Sequence, residues 1–128
     1  MKHYTSIEQS KRLIELGLGF NTADMSYPRE LYLGESEYPV VIADDFKVDW
    51  TKALPCWSVA ALLELMPKQI IYEEESCSPI LLSYKNDWYA CIYVNKYMEF
   101  AFDPIGDRET AIEACYEMVC WLLENKYI

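Results

Sequence analysis

The stretch from Asp107 to Ile128 constrains the fold most. Ala111, Ala114, Cys115, Met118, Val119, Trp121 and Leu122 fall on one wide helical face. Glu109, Glu113 and Glu117 recur at i,i+4 on the other side. The chain then ends on Leu123, Tyr127 and Ile128. A terminus this apolar is expected to dock into a core rather than fray. Asp107 is the expected N-cap.

Two further amphipathic segments precede it. Over Ser6–Leu16, the order Thr5-Ser6-Ile7-Glu8 predicts a capping box between Thr5 and Glu8. Ile7, Ser10, Leu13, Ile14 and Leu16 form the inward stripe, and Gly17 supplies the stop. Over Ser58–Met66, Ser58 is the N-cap, Val59, Leu62, Leu63 and Met66 share a face, and Pro67 ends the helix.

Between the second and last helices the period changes to two. Gln69–Glu73, Ile80–Tyr84, Trp88–Val94 and Tyr97–Phe102 read as strands, with turns at Lys85-Asn86-Asp87 and Asn95-Lys96. On the third of these, Trp88, Ala90, Ile92 and Val94 share one face; Tyr89, Cys91 and Tyr93 share the other. The aliphatic face is expected to lie under the helices and the tyrosine face to look outward. Residues 18–55 are weakly patterned, apart from a short edge strand at Tyr38–Ile42. Their aromatic content predicts that they wrap the body. The expectation is one α+β domain over residues 1–128. It has an antiparallel sheet of three to four strands with about three helices packed on one face, in the order α-(irregular)-α-β-β-β-(β)-α.

Composition narrows the function classes. Twenty-one acids against eleven bases give a net charge of −10. Such a chain opposes the phosphate neutralisation on which nucleic-acid binding rests, and it is poorly suited to anionic membranes. No apolar run approaches the ~18 residues of a membrane span, and the N-terminal residues show no signal region. Cys56, Cys77, Cys91, Cys115 and Cys120 are odd in number, without a CxxC, and several fall in apolar patterns. They read as reduced core cysteines of a cytoplasmic protein.

No chemistry-bearing motif emerges, so no catalytic, cofactor or metal residues are expected. The single histidine, His3, precedes the first helix and makes a poor general base. Asp44-Asp45-Asp49 and Glu73-Glu74-Glu75 lack the loop spacing of a hard-cation site and read as solvated charge. Two surfaces stand out instead. Tyr89, Tyr93 and Tyr97 form an aromatic patch whose alternatives are cover by the Leu18–Trp50 segment or a protein interface, where tyrosine is enriched. Glu109, Glu113 and Glu117 form an acidic line able to steer a basic partner.

Three blocks occur in order: Ser6-Ile7-Glu8-Gln9-Ser10-Lys11 through Asn21-Thr22-Ala23-Asp24-Met25; Pro55-Cys56-Trp57-Ser58 through Leu62-Leu63-Glu64-Leu65-Met66-Pro67; and Glu117-Met118-Val119-Cys120-Trp121-Leu122-Leu123-Glu124-Asn125. Together they resemble a family of small uncharacterised proteins of Bacteroides-type bacteria and their prophages or other mobile elements. The resemblance spans nearly the whole chain. It implies a bacterial or phage cytoplasmic setting and carries no activity or site with it. The expected function is a non-catalytic accessory or interaction protein that binds another protein. The alternative is an acidic, DNA-mimic-like decoy that inhibits a nucleic-acid enzyme. Self-association stays open.

Overall fold

The computed structural model describes residues 3–28, 38–43, 46–84, 88–102 and 106–128. In chain order these form α1 (Ile7–Glu15), β1 (Met25–Pro28), β2 (Val40–Val41), β3 (Ala53–Cys56), α2 (Val59–Leu65), β4 (Ile70–Tyr72), β5 (Glu75–Tyr84), β6 (Trp88–Val94), β7 (Phe100–Phe102) and α3 (Ala111–Glu124). The fold is α+β, with helices packed against antiparallel sheets. One sheet has the order β4-β5-β6-β7, and a smaller one has the order β2-β1-β3. Among the described residues, no helix is long and apolar enough to cross a membrane.

The smaller sheet is the main addition to the sequence reading. Its strands come from residues 18–56, a stretch expected to be irregular apart from the edge strand at Tyr38–Ile42. Proline explains why the pattern hid them: β1 ends on Pro28 and β3 contains Pro55, which pairs with Ser26 from the sheet edge. The strand expected at Tyr38–Ile42 is β2, an edge strand pairing Val40 with Ser26 and Val41 with Met25.

Local capping sets the helix limits. The capping box sits one residue later than expected: the Gln9 N–H donates to Ser6 Oγ at 3.1 Å, and the Ser6 N–H donates to Gln9 Oε1 at 2.9 Å. Ser58 caps α2. Thr110, rather than Asp107, caps α3 by accepting from the Glu113 N–H. Arg108 is instead held as an added bridge on β6, its N–H and C=O exchanging bonds with Tyr89 at 2.8 Å.

Helices α1 and α3 end alike. Leu18 N–H reaches the Leu13 carbonyl and Gly17 N–H the Ile14 carbonyl; Tyr127 N–H reaches the Leu122 carbonyl and Lys126 N–H the Leu123 carbonyl. Both are Schellman closures, which need a left-handed residue after the cap. Gly17 takes φ 100° there without Cβ strain, and Lys126 takes φ 62°. Trp121 stacks on Tyr127 at 5.4 Å across the second closure, so Tyr127 packs down as expected, whereas Ile128, expected to dock with it, is exposed.

The main core joins Leu13 of α1, Leu62 of α2 and Met118, Val119 and Leu122 of α3 to Cys77, Cys91 and Tyr93 of the larger sheet. This reverses the expected facing. The tyrosine face of β6 lies under the helices: Tyr93 is fully buried, and Tyr89 packs against the same cluster. The aliphatic face, Ala90, Ile92 and Val94, is buried separately with Ile80 and Leu82, while Trp88 is 39% exposed at its end. Tyr93 tolerates the interior because its hydroxyl donates to the Pro67 carbonyl at 3.0 Å. A strand apolar on both faces is one covered on both sides, so polarity alone could not rank the two faces.

Thr5 joins the N-terminal segment to the smaller sheet. It is fully buried. Its Oγ1 accepts from the Trp57 N–H at 3.0 Å and lies 2.8 Å from Ser10 Oγ. Its carbonyl accepts from the Tyr27 hydroxyl at 2.7 Å and from the Cys56 thiol at 3.3 Å. Its N–H donates to the Trp57 carbonyl. These bonds hold α1 against β3 and the start of α2.

All five cysteines are free and buried. Burial pushes the Cys56 and Cys120 thiols from 9.0 up to about 11. It also raises the Tyr93 and Tyr116 phenols. Each group holds its proton more tightly folded than unfolded. Its contribution to stability is therefore complete below the unfolded pKa and is lost as pH rises through the folded one. Thermal stability should stay level up to about pH 9 and fall steeply toward pH 11, with the Cys56 thiol contributing on the order of 2 kcal/mol to the loss and the less enclosed Cys120 thiol less, because solvent screens it more. Melting curves measured across pH 7–11 check this, and a flat profile above pH 9 would contradict it. Cys56→Ala should flatten part of the decline.

Candidate functional site

The sequence-predicted surfaces divide once placed on the fold. Tyr93 lies fully buried in the core and offers no contact surface; Tyr89 is half-buried and packs against the core. The sequence places both outside because they alternate with Trp88, Ala90 and Ile92, the face it assigns to the helix-covered core. Tyr97 is 69% exposed and lies in the turn after β6 rather than in a strand. Glu109 is exposed but precedes α3, whereas Glu113 and Glu117 are half-buried on the helix. The three glutamates therefore do not form one exposed line. Of the acidic clusters, Asp44 and Asp45 lie outside the described residues. Glu73, Glu74 and Glu75 are exposed at the β4–β5 turn.

Tyr97 belongs to a distinct locality. At one end of the larger sheet, the β4–β5 and β6–β7 turns flank a cleft of about 490 Å³. Ser76 and Ser78 of β5 line it on one side and Asn95, Lys96 and Tyr97 on another, with Glu74 and Glu75 at the first turn. Asn95 organises the second turn. Its Oδ1 accepts from the Tyr97 and Glu99 N–H groups at 3.0 and 3.1 Å, and its Nδ2 reaches Glu75 Oε2 at 3.4 Å across the cleft. The Lys96 ammonium lies 5.0 Å from the centre of the Tyr97 ring, within cation–π range.

Both turns adopt a backbone that their residues do not favour. Glu73 and Glu74 take φ 50° and 70° in the two-residue β4–β5 connection, where Asn-Gly is the usual solution. In the second turn the Met98 N–H bonds the Asn95 carbonyl, and the Asn95 N–H bonds the Glu99 carbonyl. Met98 holds φ 61° at a position suited to glycine, yet its side chain is 65% exposed. The strain gains no burial in the folded chain. A strained, exposed side chain is the kind of outlier from which function is reasonably inferred.

Other features offer less. A smaller cleft of about 270 Å³ lies where the first turns of α1 and α3 meet, beside Tyr4, Gln9 and Glu113, with both N-caps already bonded within the chain. Tyr38, Val41 and Phe46 are exposed near edge strand β2, next to Pro39, a residue that blunts strand pairing. Among the described residues there is no group of His, Cys, Asp or Glu arranged to hold a metal ion. Sequence reasoning missed the cleft because Ser76, Ser78 and Asn95 carry no motif. Its traces in the sequence are the Asn95-Lys96 turn signal, Tyr97 of the aromatic patch and the Glu74-Glu75 part of the acidic run. No protein-family model, curated protein or solved structure matches the chain.

Proposed function

We propose that this chain is a non-catalytic accessory protein of a bacterial or phage cytoplasm, and that it works by docking another protein at the cleft between the β4–β5 and β6–β7 turns. One observation carries the reading. Tyr97 and Met98 are consecutive in a turn whose backbone is strained at Met98, and both side chains stay out of the core. Partially exposed Tyr and Met beside a polar cleft are the residue types that protein interfaces favour.

The strain makes a test in which binding and folding move in opposite directions. Met98→Gly relieves the left-handed position and should raise stability by about 0.5–1 kcal/mol. Urea unfolding measures that gain; a loss of stability would mean that Met98 packs productively in the free chain. The same variant, combined with Tyr97→Ser, should lose partners that the parent captures from its host. If the doubly substituted protein is as stable as the parent and retains every partner, the contact is made elsewhere. A stabilised protein that has lost its partner cannot be explained by unfolding.

A further inference from the structure

We propose that the cleft beside Tyr97 receives a basic side chain, lysine or arginine, from the docked partner. This rests on the docking reading above and names the chemistry of its contact. Two independent features point to a cation. The Tyr97 ring already carries an ammonium, that of Lys96, at 5.0 Å, so its face is presented in a way that binds positive charge. Glu74 and Glu75 line the same cleft, neither in an ion pair among the described residues; Asn95 holds Glu75 in place with one bond and leaves it further acceptor capacity. An aromatic ring and carboxylates lining one cleft favour a guanidinium or ammonium group, each contributing modestly when solvent-exposed. The net charge of −10 adds a long-range pull on the same class of partner.

Lys96 is the resident competitor in this arrangement. It places positive charge near the ring and reduces the pull of the two glutamates, so removing it should improve binding. That gain is the sharpest consequence of the proposal, since general damage to the cleft would only weaken it.

The experiment is an NMR titration of the full chain with the blocked tripeptide acetyl-Gly-Arg-Gly-amide. The matched control replaces arginine by citrulline, its uncharged near-isostere. The arginine peptide should shift the Ser78, Asn95 and Tyr97 signals saturably, and the citrulline peptide should not. Glu75→Gln and Tyr97→Leu should each weaken binding about three- to fivefold, and Lys96→Met should tighten it by a similar factor. Thermal melts of each variant establish that the fold is intact. Equal binding of the citrulline peptide would overturn the proposal. So would absent shifts at the cleft, shifts of equal size at Glu113 and Glu117, or weaker binding by Lys96→Met. Partner capture separates the two levels. If capture still depends on Tyr97 and Met98 while the peptide fails to bind, docking at the cleft stands and its basic contact does not.

Discussion

Replacing Leu122 by alanine should lower the unfolding free energy by about 2–5 kcal/mol, a large fraction of what a domain of this size holds. Leu122 is fully buried in the cluster where α1, α2, α3 and the larger sheet meet. Met118 and Val119, one turn earlier on the same helix, are buried with it. The helix is anchored at both ends, by Thr110 at its start and the Lys126–Tyr127 closure at its end. It cannot easily slide to fill the void, so most of the cavity cost should persist. Urea unfolding should show a lower midpoint with an unchanged slope, and Leu122→Met should cost less than about 1.5 kcal/mol. A loss below about 1 kcal/mol for the alanine variant would mean that the core relaxes around the missing atoms.

Thr5→Val should cost about 2–4 kcal/mol, although it changes shape very little. Valine keeps the methyl group and puts a second methyl in place of the hydroxyl. The Trp57 N–H then loses its acceptor and Ser10 Oγ its partner, at a fully buried position. Thr5→Ser keeps the hydroxyl and removes the methyl, so it isolates the packing contribution. The expected order of stability is parent, then serine, then valine. If valine proves at least as stable as serine, packing rather than hydrogen bonding holds the N-terminal segment. The bonds to the Thr5 backbone survive either change, so the rest of the fold remains a fair reference.

The sequence disclosed long-period features well and short, two-sided ones poorly. The helices were legible from their apolar stripes, and β6 from strict alternation, down to its limits at Trp88 and Val94. The cap positions of α1 and α3 were displaced because neighbouring residues offered equivalent side chains: Thr5 beside Ser6, and Asp107 near Thr110. The smaller sheet was hidden because its strands are short and two of them contain proline. The facing of β6 was misread because hydropathy places tyrosine outside, whereas a bonded phenol packs well inside. Of the six residues expected at a contact surface, Tyr97 lines the cleft and Tyr93 lies in the core. The remainder of the cleft comes from residues far apart in the chain, brought together by the β4–β5 and β5–β6 pairings.

The double burial of β6 also governs what happens when the protein unfolds. Trp88-Tyr89-Ala90-Cys91-Ile92-Tyr93-Val94 contains no charge, no proline and no glycine, and it is rich in β-branched and aromatic side chains. A free segment of that kind is suited to cross-β stacking. In the native sheet β5 pairs along its whole length, and on the other edge β7 pairs with Tyr93 and Val94 while Arg108 bridges Tyr89, so most of its backbone is engaged within the chain. Asp87 on one side and Lys96 just beyond the other place charge at its borders. The fold thus serves as the chaperone of its own most hazardous heptapeptide, and variants that open the sheet should leave solution as aggregates before they are seen to unfold.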